Sequence, residues 1–176
     1  MRVRWNAFLC LILFAVSIAH ARKDRAEQLQ FGMGKKNEWK LIDSKGGRRH
    51  DLIMQFVREG DDVENPKELV TMHDFGKSSH VRSLEPMVEE IKALREKECP
   101  GGTEWKVIDS QKDSILFEWH TKACPGQTER WEIARILAGQ QNVFLLRYTA
   151  KEHEPSPETR AEWVKRFGDA AIVSAP

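Results

Sequence analysis

Long apolar runs are scarce in this 176-residue chain, and the one of note stands at its start. Phe8 to Ile18 is almost wholly apolar, yet too short for a bilayer, which takes about 20 helical residues. Arg2 and Arg4 precede the run, and Ala19-His20-Ala21 follows it with small residues where a signal peptidase reads them. That order is a secretory leader, residues 1–21. Cleavage is expected before Arg22, leaving 22–176 as a single exported domain, periplasmic or secreted, with no stable membrane anchor. An uncleaved anchor is the alternative. Lipid attachment at Cys10 is disfavoured, because the apolar run continues past that residue.

Net charge is also missing. Lys and Arg number 28 against 27 Asp and Glu, and removing Arg2 and Arg4 with the leader leaves 26 against 27. A chain so balanced is not steered toward nucleic acid or anionic lipid. No nucleic-acid partner is expected, and the interspersed charges name no other.

Cysteine is rare, and only Cys99 and Cys124 remain once the leader is gone. An even pair in an exported chain points to a disulfide. Each sits in a turn-like setting, "ECPGG" and "ACPGQ", so the two can meet if the strands between them form a hairpin. Closing that loop is worth about 3 kcal/mol in the chain-entropy model. The C-x-x-C spacing of a redox-active pair is absent.

Catalytic signatures are lacking too. There is no G-x-S-x-G elbow and no G-x-x-x-x-G-K-[ST] phosphate loop. His50, His73, His80, His120 and His153 include no i, i+4 pair and no H-x-H, the spacings that aim two imidazoles at one metal. No catalytic residue, metal or cofactor is assigned. His73 and His120 both fall in central strands, which leaves a spatial cluster open. The acidic turn "EGDDVENPKE" carries oxygen ligands but not the D-x-[DN]-x-[DN]-G order of a calcium loop, so it reads as a solvated turn.

What is present is a repeated strand. "NEWKLIDSK" (Asn37 to Lys45) and "TEWKVIDSQ" (Thr103 to Gln111) each open a run of strands that closes on a helix. In the first half "WKLIDS", "DLIMQFVRE" and "ELVTMHDF" read as strands, with Gly46-Gly47 as a hairpin signal. Leu84, Met87, Val88, Ile91 and Leu94 then recur at helical spacing, with Ser83 as N-cap and Cys99-Pro100-Gly101-Gly102 as the stop. In the second half "EWKVIDSQ", "DSILFEWHTKA" and "ERWEIARILAG" are followed by an extra strand, "NVFLLRYTAK". "SPETRAEWVKRFGDAA" closes the chain as a helix capped by Ser156, with Pro157 at its first position and Glu158 in its first turn. Ala161, Val164 and Phe167 to Ala171 are placed toward the sheet and Trp163 on the flank. In each repeat Trp39, Leu41 or Trp105, Val107 take one face and Lys40, Ile42 or Lys106, Ile108 the other. Duplication and chance resemblance both account for the echo. The fold class is α+β: a mostly antiparallel sheet of six or seven strands flanked by two main helices, in two strand-strand-strand-helix halves. The tryptophans that survive cleavage read as core anchors.

"REGDDVENPKELVTMHDF" is similar to a pattern in small secreted bacterial proteins of unassigned role, where an acidic turn and EN-x-x-E-LVT lead into a strand. Glu64-Asn65 and Glu68-Leu69-Val70-Thr71 carry it here, with Pro66 where an aromatic is common. "ERWEIARILAGQQNVFLLRYTAK" and the terminal Trp-containing helix look like that group as well. The order of elements also resembles the PsbP-type α/β sandwich. This resemblance implies a binding or assembly role and supplies no site residues.

The expected function is a non-catalytic periplasmic protein that binds a protein partner or small ligand through a sheet face or the rim at Asp61, Asp62, Glu64 and Asn65. An immunity or inhibitor protein is the specific form of that reading. A metal-binding protein or periplasmic hydrolase is the rival. Oligomeric state is not legible.

Overall fold

The computed structural model describes residues 26–35, 38–46, 52–77 and 83–174. The expected leader with its cleavage site, His50 and His80 lie outside the described residues. The elements in chain order are β1 (Glu27–Gln30), β2 (Trp39–Gly46), β3 (Leu52–Arg58), β4 (Glu68–Lys77), α1 (Glu85–Glu98), β5 (Thr103–Gln111), β6 (Ser114–Thr121), β7 (Arg130–Ala138), β8 (Asn142–Lys151), α2 (Pro157–Gly168) and β9 (Ala171–Ser174). Seven strands form one sheet in the order β2-β3-β4-β8-β7-β6-β5, every neighbouring pair antiparallel. This is the α+β arrangement that the alternation of short β-rich runs and two amphipathic segments dictates.

The two copies of the repeated strand, β2 and β5, are the two edges of that sheet. Each carries a bulge at the same motif position, Ile42 between Leu41 and Asp43 and Ile108 between Val107 and Asp109. A bulge sets two residues against one and twists the strand, which makes an edge a poor template for another chain. Leu41 and Val107, the equivalent residues just before each bulge, are 49% and 50% exposed.

The repeats do not point their tryptophans the same way. Trp39 packs into the core beneath α2, whereas Trp105 packs into the core on the opposite face, beside α1. The units β2-β3-β4 and β5-β6-β7 enter the sheet from opposite edges, turned over with respect to each other, and β8 separates them. Each helix therefore shelters the tryptophan of the unit it does not follow.

On one face α1 lays Leu84 and Val88 over Ile115, Phe117 and Trp119 of β6, Ala134 and Ile136 of β7, and Val143 and Leu145 of β8. Met87 and Ile91 join this core half-buried, while Leu94 faces solvent. The cap differs from expectation. Leu84 occupies the N-cap position without a side-chain bond, and Ser83 Oγ donates instead to Glu85 Oε2 at 2.6 Å.

On the other face α2 buries Trp163 and Phe167 against Val70, Met72, Leu116, Ile133, Leu146 and Tyr148. Trp163 stacks on Tyr148 with ring centroids 4.7 Å apart and meets Trp39 edge-on at 5.5 Å. The expected orientation of this helix is corrected: Trp163 is buried and Ala161 exposed. The reason is area, since burial stabilises by roughly 25 cal/mol per Å² and the indole offers far more surface than a methyl. Ser156 Oγ accepts from Thr159 N at 3.2 Å, as the sequence indicates. The helix ends at Gly168, sooner than expected, because Ala171 begins β9. Arg135 of β7 holds that end, donating to the carbonyls of Phe167, Gly168 (2.8 Å) and Ala170 (3.1 Å).

Strand β9 pairs with β1 in a separate ribbon. Neither is foreshadowed by the sequence, in which the basic and acidic residues crowded over Arg22 to Glu27 read as a frayed entry to the fold. The Glu27 carboxylate instead accepts from the backbone amides of Gln140, Gln141 and Asn142 at 2.7, 2.9 and 2.9 Å, closing the β7–β8 turn.

Cys99 caps the C-terminus of α1 and is joined to Cys124 in the β6–β7 connection, with Cα atoms 6.1 Å apart. That separation is ordinary for a disulfide. The hairpin needed to bring them together is β5–β6, in which Thr103 pairs with Thr121. Among the described residues no helix is long and apolar enough to cross a membrane.

Candidate functional site

The α1 face of the sheet changes character halfway across. Beneath α1 the rungs hold Ile136 beside Ile115, Ala134 beside Phe117, and Glu132 beside Trp119. Along the same rungs toward β2, Ala134 gives way to Arg147, then Thr71, then Gln55, and Glu132 gives way to Thr149. These inward positions would be apolar in a sheet covered on both faces. Here they are polar, and α1 does not reach them. The result is an open concavity of about 300 Å³ floored by Gln55, Thr71, His73, Arg147 and Thr149 and flanked by Arg130 and Lys151, with Ile53, Leu69 and Leu145 as its apolar lining.

Glu132 anchors the boundary. Its carboxylate, 1% exposed, accepts from Trp119 Nε1 (3.1 Å), Thr149 Oγ1 (3.1 Å), Arg147 Nε (2.9 Å) and Arg147 Nη2 (2.6 Å). A carboxylate is buried at tolerable cost only when so fully paired. The charge of Glu132 holds the Arg147 guanidinium above its ordinary value, against the opposing effect of burial. The fork of Arg147 is thus fixed in the floor by a carboxylate behind it.

Arg130 is placed differently. It lies between Thr121 and Lys151 on its rung, and its Nε is buried without a hydrogen-bond partner. Its other flank borders a narrow gap shared with Arg95, Glu98 and Trp119. Glu98 is engaged there by Arg95 at 2.6 Å, and the Arg95 guanidinium lies 5.2 Å from the Trp119 ring. Among the described residues no carboxylate forms an ion pair with Arg130 or Lys151. Among the described residues no carboxylate lines the concavity.

The described histidines do not converge. His73 stands in the concavity, its ring 3.8 Å from Phe75. His120 is on the other face, buried, stacked on Trp131 at 3.8 Å and bonded through Nε2 to Glu129 at 2.8 Å. Nδ1 of His153 meets the Lys151 carbonyl at 2.8 Å. Among the described residues no three His, Cys, Asp or Glu side chains are grouped to hold a metal ion.

The acidic rim is an internally organised turn. Asp61 accepts from the amides of Asp62 (3.0 Å), Lys67 (2.8 Å) and Glu68 (3.4 Å), and Asp62 accepts from Glu64 N at 3.0 Å. Burial pushes the Asp61 carboxyl up, but these amides outweigh it and hold it below its ordinary value. Asp62, Glu64 and Asn65 are exposed, and Pro66 is buried under them. The turn abuts the Lys151 end of the concavity, where Lys151 N donates to the Lys67 carbonyl at 2.9 Å.

Sequence reasoning names His73 and the rim but misses Gln55, Thr71, Arg130, Arg147, Thr149 and Lys151. Their signal is polar residues standing at alternate, inward positions of otherwise apolar strands. A second hollow of about 260 Å³ lies between α1 and β5, where Glu89, Glu96 and Lys92 surround Trp105, but its charges are mixed.

The sequence matches no protein-family model and no curated protein. The fold and site define an α+β protein with a helix on each face of a seven-stranded antiparallel sheet, one face left half uncovered among the described residues. That open half is polar and its flanking charges are cationic.

Proposed function

We propose that this is a non-catalytic binding protein of an oxidising, exported compartment, acting through the open half of its α1 sheet face. The observation that carries the reading is the change along one rung from Phe117 and Ala134 to Arg147, Thr71 and Gln55, with Glu132 and Thr149 side by side on the next inward rung. Polar side chains at inward sheet positions, on a rigid disulfide-pinned scaffold and around a hollow of this size, support ligand binding. The disulfide supports export. An inhibitor or immunity protein is the protein-partner form of the same reading, with exposed Asp62, Glu64 and Asn65 next to the hollow as a charged rim.

The test is amide chemical-shift mapping of the ¹⁵N-labelled chain against a fragment library of neutral, cationic and anionic small molecules. Shifts are expected over 53–57, 69–73 and 145–151, and Gln55→Trp, which fills the hollow, should remove them. Shifts confined to 61–65 would move the site to the acidic turn. Silence on both surfaces would end the small-ligand reading.

A further inference from the structure

The charges around the concavity narrow the binding role to one class of ligand, an inference that rests on that role. Arg147 is neutralised from behind by Glu132, so its fork contributes hydrogen-bond donors more than net charge. Arg130 and Lys151 are the remaining cations, adjacent on one rung at the mouth, and neither is paired with a carboxylate among the described residues. The buried Arg130 Nε lacks a partner altogether. An orphaned guanidinium donor in a folded protein is costly, and a ligand oxygen is the group that would satisfy it. The floor supplies further hydrogen-bonding side chains in Thr71 and Gln55.

We propose that the concavity binds a small organic oxyanion, a carboxylate or a phosphate ester, held by Arg130 and Lys151 over a floor organised by the Glu132–Arg147 pair. Its volume, about 300 Å³, lies at the small end of ligand pockets and suits a compact metabolite rather than a polymer. Arg130 is the specificity residue of this site, because a guanidinium can grip two oxygens of one anion where an ammonium offers a point charge. The remaining polar floor suits hydroxyl or amide groups on the body of the ligand.

The experiment uses the disulfide-bonded chain from Arg22, titrated at low salt with citrate, glycerol 3-phosphate and inorganic phosphate, followed by ¹⁵N amide shifts and by the Arg Nε–Hε signals. Saturable shifts at 69–73 and 145–151 with movement of the Arg130 Nε–Hε signal are expected for at least one probe. Citrate alone would assign a carboxylate ligand, and glycerol 3-phosphate above inorganic phosphate would assign an ester. Arg130→Gln should weaken that binding about tenfold or more, as loss of one charge-assisted contact implies. Lys151→Gln should weaken it less, and both variants should keep the wild-type fingerprint elsewhere. Neutral fragments binding the same strands while all three anions fail would overturn the oxyanion proposal and leave the binding reading intact. Anion binding that Arg130→Gln and Lys151→Gln leave unchanged would overturn it as well. No probe of any charge perturbing these strands would overturn both.

Discussion

The Glu132 carboxylate grips the Arg147 guanidinium at two points, 2.9 and 2.6 Å, where the dry and wet halves of one sheet face meet. Trp119 approaches the same carboxylate from the dry side, and Thr149 beside it belongs to the wet side. The pair is thus both the edge of the core and the foundation of the proposed site.

Removing one charge should expose that dual role. Glu132→Gln leaves Arg147 in the floor without its counter-charge and is expected to cost about 3 kcal/mol, as breaking buried pairs does. Glu132→Gln with Arg147→Met removes both charges and should recover much of the loss. Urea unfolding of the two variants beside wild type checks this; a double variant less stable than the single would contradict the dual role.

Cys99→Ser and Cys124→Ser should each lower stability by about 3 kcal/mol, and together by no more than either alone. The bond ties the end of α1 to the β6–β7 connection, so either loss frees the same loop. Thermal melts under non-reducing conditions measure it, and additive losses would show that the two residues act separately.

Glu27→Ala should speed amide exchange at Gln140, Gln141 and Asn142 while leaving the centre of the sheet protected. Gly139→Ala is expected to act in the same way, because a Cβ there would occupy the place of the Glu27 carboxylate. The double substitution should add little to either. Unchanged exchange at those amides in Glu27→Ala would sever the link between the first strand and that turn.

In the acidic turn, stability should depend on pH through Asp61. Its folded-state pKa lies below that of the unfolded chain, about 3.9 for a free aspartate. Its contribution is complete above that unfolded value and is lost as pH falls through the lower, folded one. Asp61→Asn should therefore flatten the acid limb of the stability profile below about pH 4 while changing nothing in its shape near neutrality. Guanidinium titrations across that range would show it, and an acid limb as steep as wild type would refute the assignment.

Much of the sheet was legible because alternation and turn residues are local. Trp39 to Gly46, Leu52 to Arg58 and Asn142 to Lys151 announce themselves within a few residues of chain. The helix ends followed where a cap is local, as at Ser156, and failed where it is not, as at Ser83. The burial of Trp163 is not legible locally, because its neighbours Trp39 and Tyr148 come from strands elsewhere in the sequence. Strands β1 and β9 escaped for the same reason: four residues each, they exist only by pairing across nearly the whole chain. The concavity is assembled from β3, β4, β7 and β8, and although β8 alone supplies four of its side chains, Leu145, Arg147, Thr149 and Lys151, the rest come from strands far away in the sequence. Its trace in the sequence, Gln55, Thr71, Glu132, Arg147 and Thr149 at inward positions, becomes readable only once the register is known.

The crossed sheltering of Trp39 and Trp105 has a consequence for how the chain is made. Synthesis from the N-terminus delivers β2, β3 and β4 first, yet Trp39 stays bare until Trp163 arrives, and β4 has no inner neighbour until β8 does. The leading portion must therefore wait, unclosed, for the final strands and helix of the polypeptide before it can lock. Contacts so distant along the chain make folding slow and concentrate it after release. In a chain built this way the first-made strands are sealed by the last-made helix, so the two ends of the polypeptide lock together or not at all.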